Sequence, residues 1–290
     1  VAEHTDIPAG VFNVVSSADP AAVGEVLTRD PRVDLVTFTG STAVGRHIMA
    51  AAADTVKKVF LELGGKSANI ILDDADVAGA CGFAGMVCYH AGQGCAIMTR
   101  LLLPRSRYDE GVEIAKASFE AVKYGDPTDA QNSMGPLINA RQRERVLGHI
   151  ERAIADGARL VTGGKRPAHL PKGYFVEPTL FADVDNSMAI AQEEVFGPVL
   201  AVIPFDDDDD AVRIANDSIY GLSGGITSGS EERALAMARR IRTGTLTVNG
   251  GMWFGPDSPF GGYKQSGIGR EMGVEGLAEY LETKTVGLPA

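Results

Sequence analysis

The 290-residue chain is poor in the features that mark several large classes of protein. It has three cysteines, one tryptophan and five histidines, and no apolar run reaches the eighteen or so residues a membrane helix needs. Lys and Arg number 27 against 38 Asp and Glu, a net charge of -11, and they form no cluster able to track a phosphate backbone. Neither nucleic acid nor a membrane is therefore an expected partner. Cys81, Cys88 and Cys95 are odd in number and spaced by seven, which suits neither a disulfide framework nor the short ligand pairs of a zinc site. A reducing, cytoplasmic setting without a bound metal is the expectation. The opening residues VAEHTDIPAG lack an initiator Met and the basic-then-apolar pattern of a signal peptide, so the chain reads as starting partway through a longer protein.

What is present describes an ordinary globular protein, 44% hydrophobic and 22% charged, long enough for two packed units. FNVVSS reads as a short buried strand, and a helix is expected over Ala21 to Leu27. The strand Leu35 to Thr39 then runs into GSTAVG, Gly40 to Gly45, and an apolar helix from Arg46 to Ala53. Strand Lys58 to Leu61 leads to ELGGK, SANIIL is strand-like, and Val77 to Tyr89 reads as one helix with Cys81 and Cys88 in the core. Strands at Leu101 to Leu103, Arg159 to Val161, the stretch ending at Phe205, and Gly244 to Asn249 alternate with helices. Those are Tyr108 to Lys123, Asn139 to Asp156 and Glu231 to Arg240. Such alternation predicts an α/β sheet with crossover connections. The run Asp206 to Asp210 tempts toward calcium, but acids at a helix start are favoured by the dipole, and Ala211 to Ala215 supplies the apolar face behind them.

Four features carry chemistry. Cys95 lies in YHAGQGCAIMT, in a bend made by Gly92 and Gly94 with no bulky neighbour to shield it, and is a candidate nucleophile; a lone cysteine is otherwise a small buried hydrophobe. Glu62 stands at a strand end before two glycines, a place for a general base or for a plain loop carboxylate. GSTAVG is either an anion site, with Ser41 or Thr42 at the helix start, or a simple strand-to-helix turn. The loop GGMWFGPDSPFGGYKQSGIGRE brings Trp253, Phe254 and Phe260 as pocket walls or as core.

GSTAVG, ELGGKSANII, AGQGCA, EEVFGPV and SPFGGYKQSGIGRE occur in one order, and together the chain resembles the aldehyde dehydrogenase superfamily over nearly its whole length. The resemblance implies the end of a Rossmann-like dinucleotide-binding domain over residues 1–63, then an α/β catalytic domain with a mostly parallel sheet over 64–280. An oligomerisation tail would follow over 281–290. It implies oxidation of an aldehyde to a carboxylic acid, with Cys95 attacking the carbonyl and Glu62 activating the water that releases the acid. Gly40, Ser41 and Gly45 match the cofactor pyrophosphate site, Glu194 the acid that binds the nicotinamide ribose, and Phe196 a residue close to that ring. Phe254 and Phe260 match substrate-pocket positions, which favours a hydrophobic aldehyde, and Glu271 matches a proton relay. NAD and NADP both stay open, because the acid that chooses between them would precede Val1, as would the oxyanion-hole asparagine. A homodimer or homotetramer is implied for the complete protein. Rival readings are a CoA-acylating semialdehyde dehydrogenase, whose branch generally lacks an acid at the Glu62 position, an inert truncated or structural polypeptide, and a thiol acyltransferase using His90.

Overall fold

The computed structural model describes residues 3–252 and 254–289; Trp253, expected in the aromatic loop, lies outside the described residues. Helix α1 (Pro20–Arg29) leads to strand β1 (Leu35–Thr39), helix α2 (Thr42–Ala52) and strand β2 (Lys58–Glu62). Strand β3 (Ala68–Ile71), helix α3 (Val77–Gly82), strand β4 (Arg100–Pro104), helix α4 (Tyr108–Glu120) and helix α5 (Ala140–Ala155) follow. Next come β5 (Arg159–Thr162), β6 (Thr179–Ala182), the single turn α6 (Ala189–Gln192), β7 (Val199–Phe205) and α7 (Asp208–Asn216). Strand β8 (Gly224–Thr227), helix α8 (Glu231–Ala238), β9 (Thr247–Val248), β10 (Gly267–Ile268) and helix α9 (Gly273–Ala278) complete the order.

These elements build two sheets. The smaller has the order β1-β2-β10, with β1 and β2 parallel and β10 antiparallel to β2, so that Gly267 faces Glu62. The larger has seven strands in the order β5-β6-β7-β4-β3-β8-β9, all parallel except β5. The expected mostly parallel α/β sheet is therefore present. Its central strands explain themselves: every residue of β4 is buried, as parallel strands covered on both faces require. Most helices start at a residue whose side chain accepts an early amide, among them Ser41, Asn139, Asp207 and Ser230. Asp207 caps α7, and the rest of the acidic run is held by Arg105, Arg213, Arg233 and Arg240. Among the described residues no helix is long and apolar enough to cross a membrane.

Several local expectations need correction. FNVVSS forms no strand and is exposed, Val14 at 78%, because β1 pairs only with β2 among the described residues and no partner edge lies beside it. The single helix expected over Val77 to Tyr89 breaks after Gly82 into 3-10 turns, with Tyr89, His90 and Ala91 outside helical geometry. Gly85 there lies so close to the Ser118 carbonyl that a Cβ would sit 2.8 Å from it, a tertiary contact that a regular helix face does not foretell. Cys81 and Cys88 are nonetheless core residues. Strand β9 covers only part of Gly244 to Asn249, and α2 starts four residues before Arg46, directly on the Ser41 cap. Residues 281–289 are exposed and irregular within the single chain.

Candidate active site

The seam between the two sheets is the turn from β2 to β3, Leu63-Gly64-Gly65-Lys66-Ser67. Its backbone is pinned from the C-terminal loop: Leu63 N–H donates to the Ser266 carbonyl (2.8 Å), and Ser266 Oγ donates to the Gly64 carbonyl (2.6 Å) while accepting from Gly221 N–H (2.9 Å). Ser266 is fully buried and lies next to the Gly267 that pairs with Glu62. The end of β2 is thus a fixed point.

Glu62 occupies that point with 2% exposure, and neither carboxyl oxygen has a hydrogen-bond partner. Burial, joined by the nearby charge of Glu271, pushes its pKa up to about 8 against the pull of Arg270. A carboxyl so placed exchanges a proton near neutral pH, which a solvated loop acid does not. Glu271 belongs to the same neighbourhood, its backbone exchanging hydrogen bonds with Phe260 (2.8 and 2.6 Å). Phe260 is 9% exposed whereas Phe254 is 60% exposed, so the structure does not bury the two aromatics together.

Cys95 is half-buried and follows three consecutive left-handed residues, His90 (φ 52°), Ala91 (φ 55°) and Gly92 (φ 71°). Gly92 is required twice over, by its φ and because a Cβ would run into the Gly197 carbonyl. The Gln93 side chain ties this loop down, donating to the His90 carbonyl (3.1 Å) and accepting from Ile138 N–H (3.0 Å). On the far side the Cys95 carbonyl lies against Gly65, where a Cβ would come to 2.5 Å. Burial pushes the thiol above its ordinary range and the carboxylates of Glu194 and Glu62 add to this, while the amides of Cys95 and Ala96 oppose it. The resting thiol keeps its proton, and those amides are donors for a charge developing beside the sulfur. The His90 ring lies against that of Tyr89, centroids 4.1 Å apart and planes tilted by 55°.

Glu194 reaches the same turn from the opposite direction. Its carboxylate fills the space a Gly64 side chain would need, and Oε1 accepts from Gly65 N–H (3.2 Å). Helix α5 holds its backbone: Arg145 donates to the Glu194 carbonyl (2.8 Å), and Gln142 Nε2 donates to the Val195 (3.1 Å) and Phe196 (2.8 Å) carbonyls. Phe196 adopts φ 55°, a left-handed conformation that those bonds sustain. Gly64 and Gly65 therefore stand between Glu194 on one side and Cys95 on the other.

The GSTAVG turn adjoins this centre, since Gly40 N–H donates to the Glu62 carbonyl (3.0 Å). Ser41 caps α2 by accepting from Val44 N–H (3.4 Å), and the first amides of the helix have no intrahelical acceptor. Gly45 faces inward, where a Cβ would lie 2.7 Å from the Leu63 methyls, and so lets α2 approach the end of β2. The structure thus brings Gly40, Ser41, Glu62, Cys95 and Glu194 around one turn. Gln142, Arg145 and Ser266 were not singled out from the sequence, although Ser266 stands inside the quoted SGIGRE motif. Among the described residues no group of three or more His, Cys, Asp or Glu is placed to hold a metal ion.

Comparison with known proteins fits this geometry. The sequence profile described as "Aldehyde dehydrogenase family" matches residues 1–286. The 3-succinoylsemialdehyde-pyridine dehydrogenase of a Pseudomonas species is 48% identical over 287 residues, covering 98% of this chain and 60% of that protein. A Mycobacterium tuberculosis aldehyde dehydrogenase complexed with NAD+ is 52% identical and superposes with a TM-score of 0.87, over 90% of this chain and 54% of that one. A mutant of aldehyde dehydrogenase C from Pseudomonas syringae, complexed with NAD+ and octanal, is 44% identical with a TM-score of 0.92, over 95% of this chain and 57% of that one. The chain spans about three fifths of the length of the curated relatives it matches.

Proposed function

The chain belongs to the aldehyde dehydrogenase family, and from that premise we propose that the protein oxidises an aldehyde to its carboxylic acid with NAD+ as hydride acceptor. The observation that carries the reading is the meeting of Cys95, Glu62 and Glu194 on the two sides and at the head of the Gly64–Gly65 turn. NAD+ is preferred to NADP because the structural relatives were solved with it.

In this reading Cys95 gives its proton to solvent water and the thiolate attacks the aldehyde carbon, forming a C–S bond as the C=O π pair moves onto oxygen. The oxyanion that results is received by the Cys95 main-chain N–H. Gly40 and Ser41 hold the cofactor phosphates at the start of α2, and Glu194 takes the ribose hydroxyls beside the nicotinamide; the buried carboxylate and the open helix end suit those groups. The bound dinucleotide supplies the hydride acceptor. Glu62 in its ionised form then takes a proton from water, the hydroxide adds to the thioester carbon, and the Cys95 thiolate leaves as the acid is released. Glu271 raises the basicity of Glu62 and passes the proton on. Phe260 and Phe254 line the approach, which favours an apolar aldehyde. Octanal, seen in the Pseudomonas syringae relative, belongs to that class.

We place the division of the chain at Leu63, with a dinucleotide-binding part before it and the catalytic part after it. The tail over 281–290 would add a strand to a neighbouring subunit in a cytoplasmic dimer or tetramer. The whole protein should reduce NAD+ and release free acid with no CoA present; a strict requirement for CoA would overturn the hydrolytic assignment of Glu62.

A further inference from the structure

Ser223, just before β8, has no part in the steps above. It is buried, and its Oγ lies 2.7 Å from the Ala96 carbonyl and 2.8 Å from the Oγ of Ser67, a buried residue of the turn from β2 to β3. Each hydroxyl has one hydrogen, and a carbonyl can only accept. Ser223 therefore donates to Ala96, and Ser67 donates to Ser223. Two hydroxyls in series thus connect the catalytic turn to the residue that follows Cys95.

The nucleophile loop has use for such a hold. Gly94 to Ile97 form a turn closed by the Ile97 N–H on the Gly94 carbonyl, at 3.3 Å a long bond. Cys95 and Ala96 are its two central residues, and their amides donate toward the sulfur. The Ala96–Ile97 peptide is therefore held at both ends, its N–H by Gly94 and its carbonyl by Ser223, and the bond from Ser223 is the shorter. Gln93 fixes the loop ahead of this turn and β4 takes over at Arg100; Ser223 acts between them. At the other end of the series, Ser67 belongs to the same turn as Gly65, against which the Cys95 carbonyl lies. The two hydroxyls and that close contact set how the turn bearing the thiol sits on the turn that follows Glu62.

We propose that Ser223, backed by Ser67, is a positioning residue that holds the Gly94–Ile97 turn against the Gly64–Gly65 turn and so orients Cys95 for attack. The inference rests on the reading that Cys95 is the nucleophile. With the Ala96 carbonyl released, the turn keeps only its long internal bond and can swing, and the sulfur moves with it. A misplacement of about 1 Å costs on the order of a hundredfold in rate. Cofactor binding is spared, because the hydroxyl series makes no bond to Gly40, Ser41 or Glu194.

The test is the single-turnover formation of NADH by the whole protein, held in excess over an apolar aldehyde with NAD+ saturating, together with the Kd for NAD+. Ser223→Ala should lower the limiting rate about ten- to a hundredfold and leave that Kd unchanged. Ser67→Ala leaves the bond to Ala96 in place but unsupported, and should cost about threefold, with no further loss in the Ser223→Ala background. A purely structural role would lower the folded fraction and not the limiting rate of the folded protein. An unchanged limiting rate in Ser223→Ala, or a loss that vanishes once rates are referred to folded protein, overturns the proposal. Equal losses from Ser67→Ala in both backgrounds overturn the part given to Ser67. Should Ser223→Ala fail to fold, Ser67→Ala decides alone, and an unchanged limiting rate there overturns the proposal. Oxidation at the wild-type rate by Cys95→Ala would instead overturn the nucleophile assignment on which the inference stands.

Discussion

The two sheets use burial for opposite ends. The seven-stranded sheet buries hydrocarbon: Ile70, Ile71, Leu101, Leu102 and Leu103 lie at its centre at or near zero exposure, and one continuous core runs from Ala68 to Ile241. The three-stranded sheet has a core of Ile48, Leu61 and Leu63 with a few partly buried neighbours, and at its end it buries a carboxyl group instead. Apolar burial stabilises; a buried acid without a partner destabilises, and is kept for what it does. The larger sheet is thus the scaffold that carries Cys95 to the seam, and the smaller sheet presents Glu62 to it.

Substitutions on the seam and in the scaffold should separate these roles. The largest effect is expected at the proposed nucleophile: Cys95→Ala should lower aldehyde oxidation by at least about a thousandfold with little change in melting temperature. Measurable oxidation at the wild-type rate would remove the chemistry from the seam. Leu102→Ala, in the middle of the scaffold, should do the reverse, costing about 2–5 kcal/mol in denaturant unfolding through the cavity it leaves. Any loss of turnover should follow the unfolded fraction alone.

Glu62 should oppose stability as the pH rises. Burial raises its carboxyl from the ordinary pKa of 4.5 to about 8 in the fold, so the protonated form is favoured by folding. The stability that this contributes is complete below about pH 4.5 and is lost as the pH climbs through about 8. Glu62→Gln should therefore be more stable than the wild type at pH 9, on the order of 1–3 kcal/mol, with the advantage fading toward pH 5. A thermal scan at the two pH values checks this, and equal differences at both would mean that Glu62 is solvated. The smallest effect belongs to the exposed segment before α1, where Val14→Ser should change the unfolding free energy by less than about 0.5 kcal/mol.

What could be read from the sequence was what local pattern determines. The apolar run Leu101 to Leu103 needs no partner to be recognised as a covered strand, and Asn139 and Asp207 announce their helices because a cap is satisfied within three residues. FNVVSS misled because a strand exists only beside another strand, and composition cannot say whether the edge is there. The helix expected through Tyr89 failed for a related reason, since it stops at Gly82 where the chain comes hard against Ser118 at Gly85, a tertiary contact that local pattern does not carry. The site residues Cys95, Glu62 and Glu194 stood out through motifs. Their supports did not, because Gln142 acts on a carbonyl 53 residues away and Ser266 on one 202 residues away. Ser67 and Ser223 were visible as letters, but only their meeting across 156 residues gives them meaning.

The division of labour at the seam is tested most directly by the pre-steady-state kinetics of Glu62→Gln in the whole protein, mixed rapidly with NAD+ and an apolar aldehyde. A burst of reduced cofactor close to one per active site should appear at the wild-type rate, followed by turnover slowed about 10²- to 10³-fold as the Cys95 thioester waits for water. Steady turnover at the wild-type rate, or loss of the burst itself, would contradict the assignment of Glu62 to the second half of the reaction.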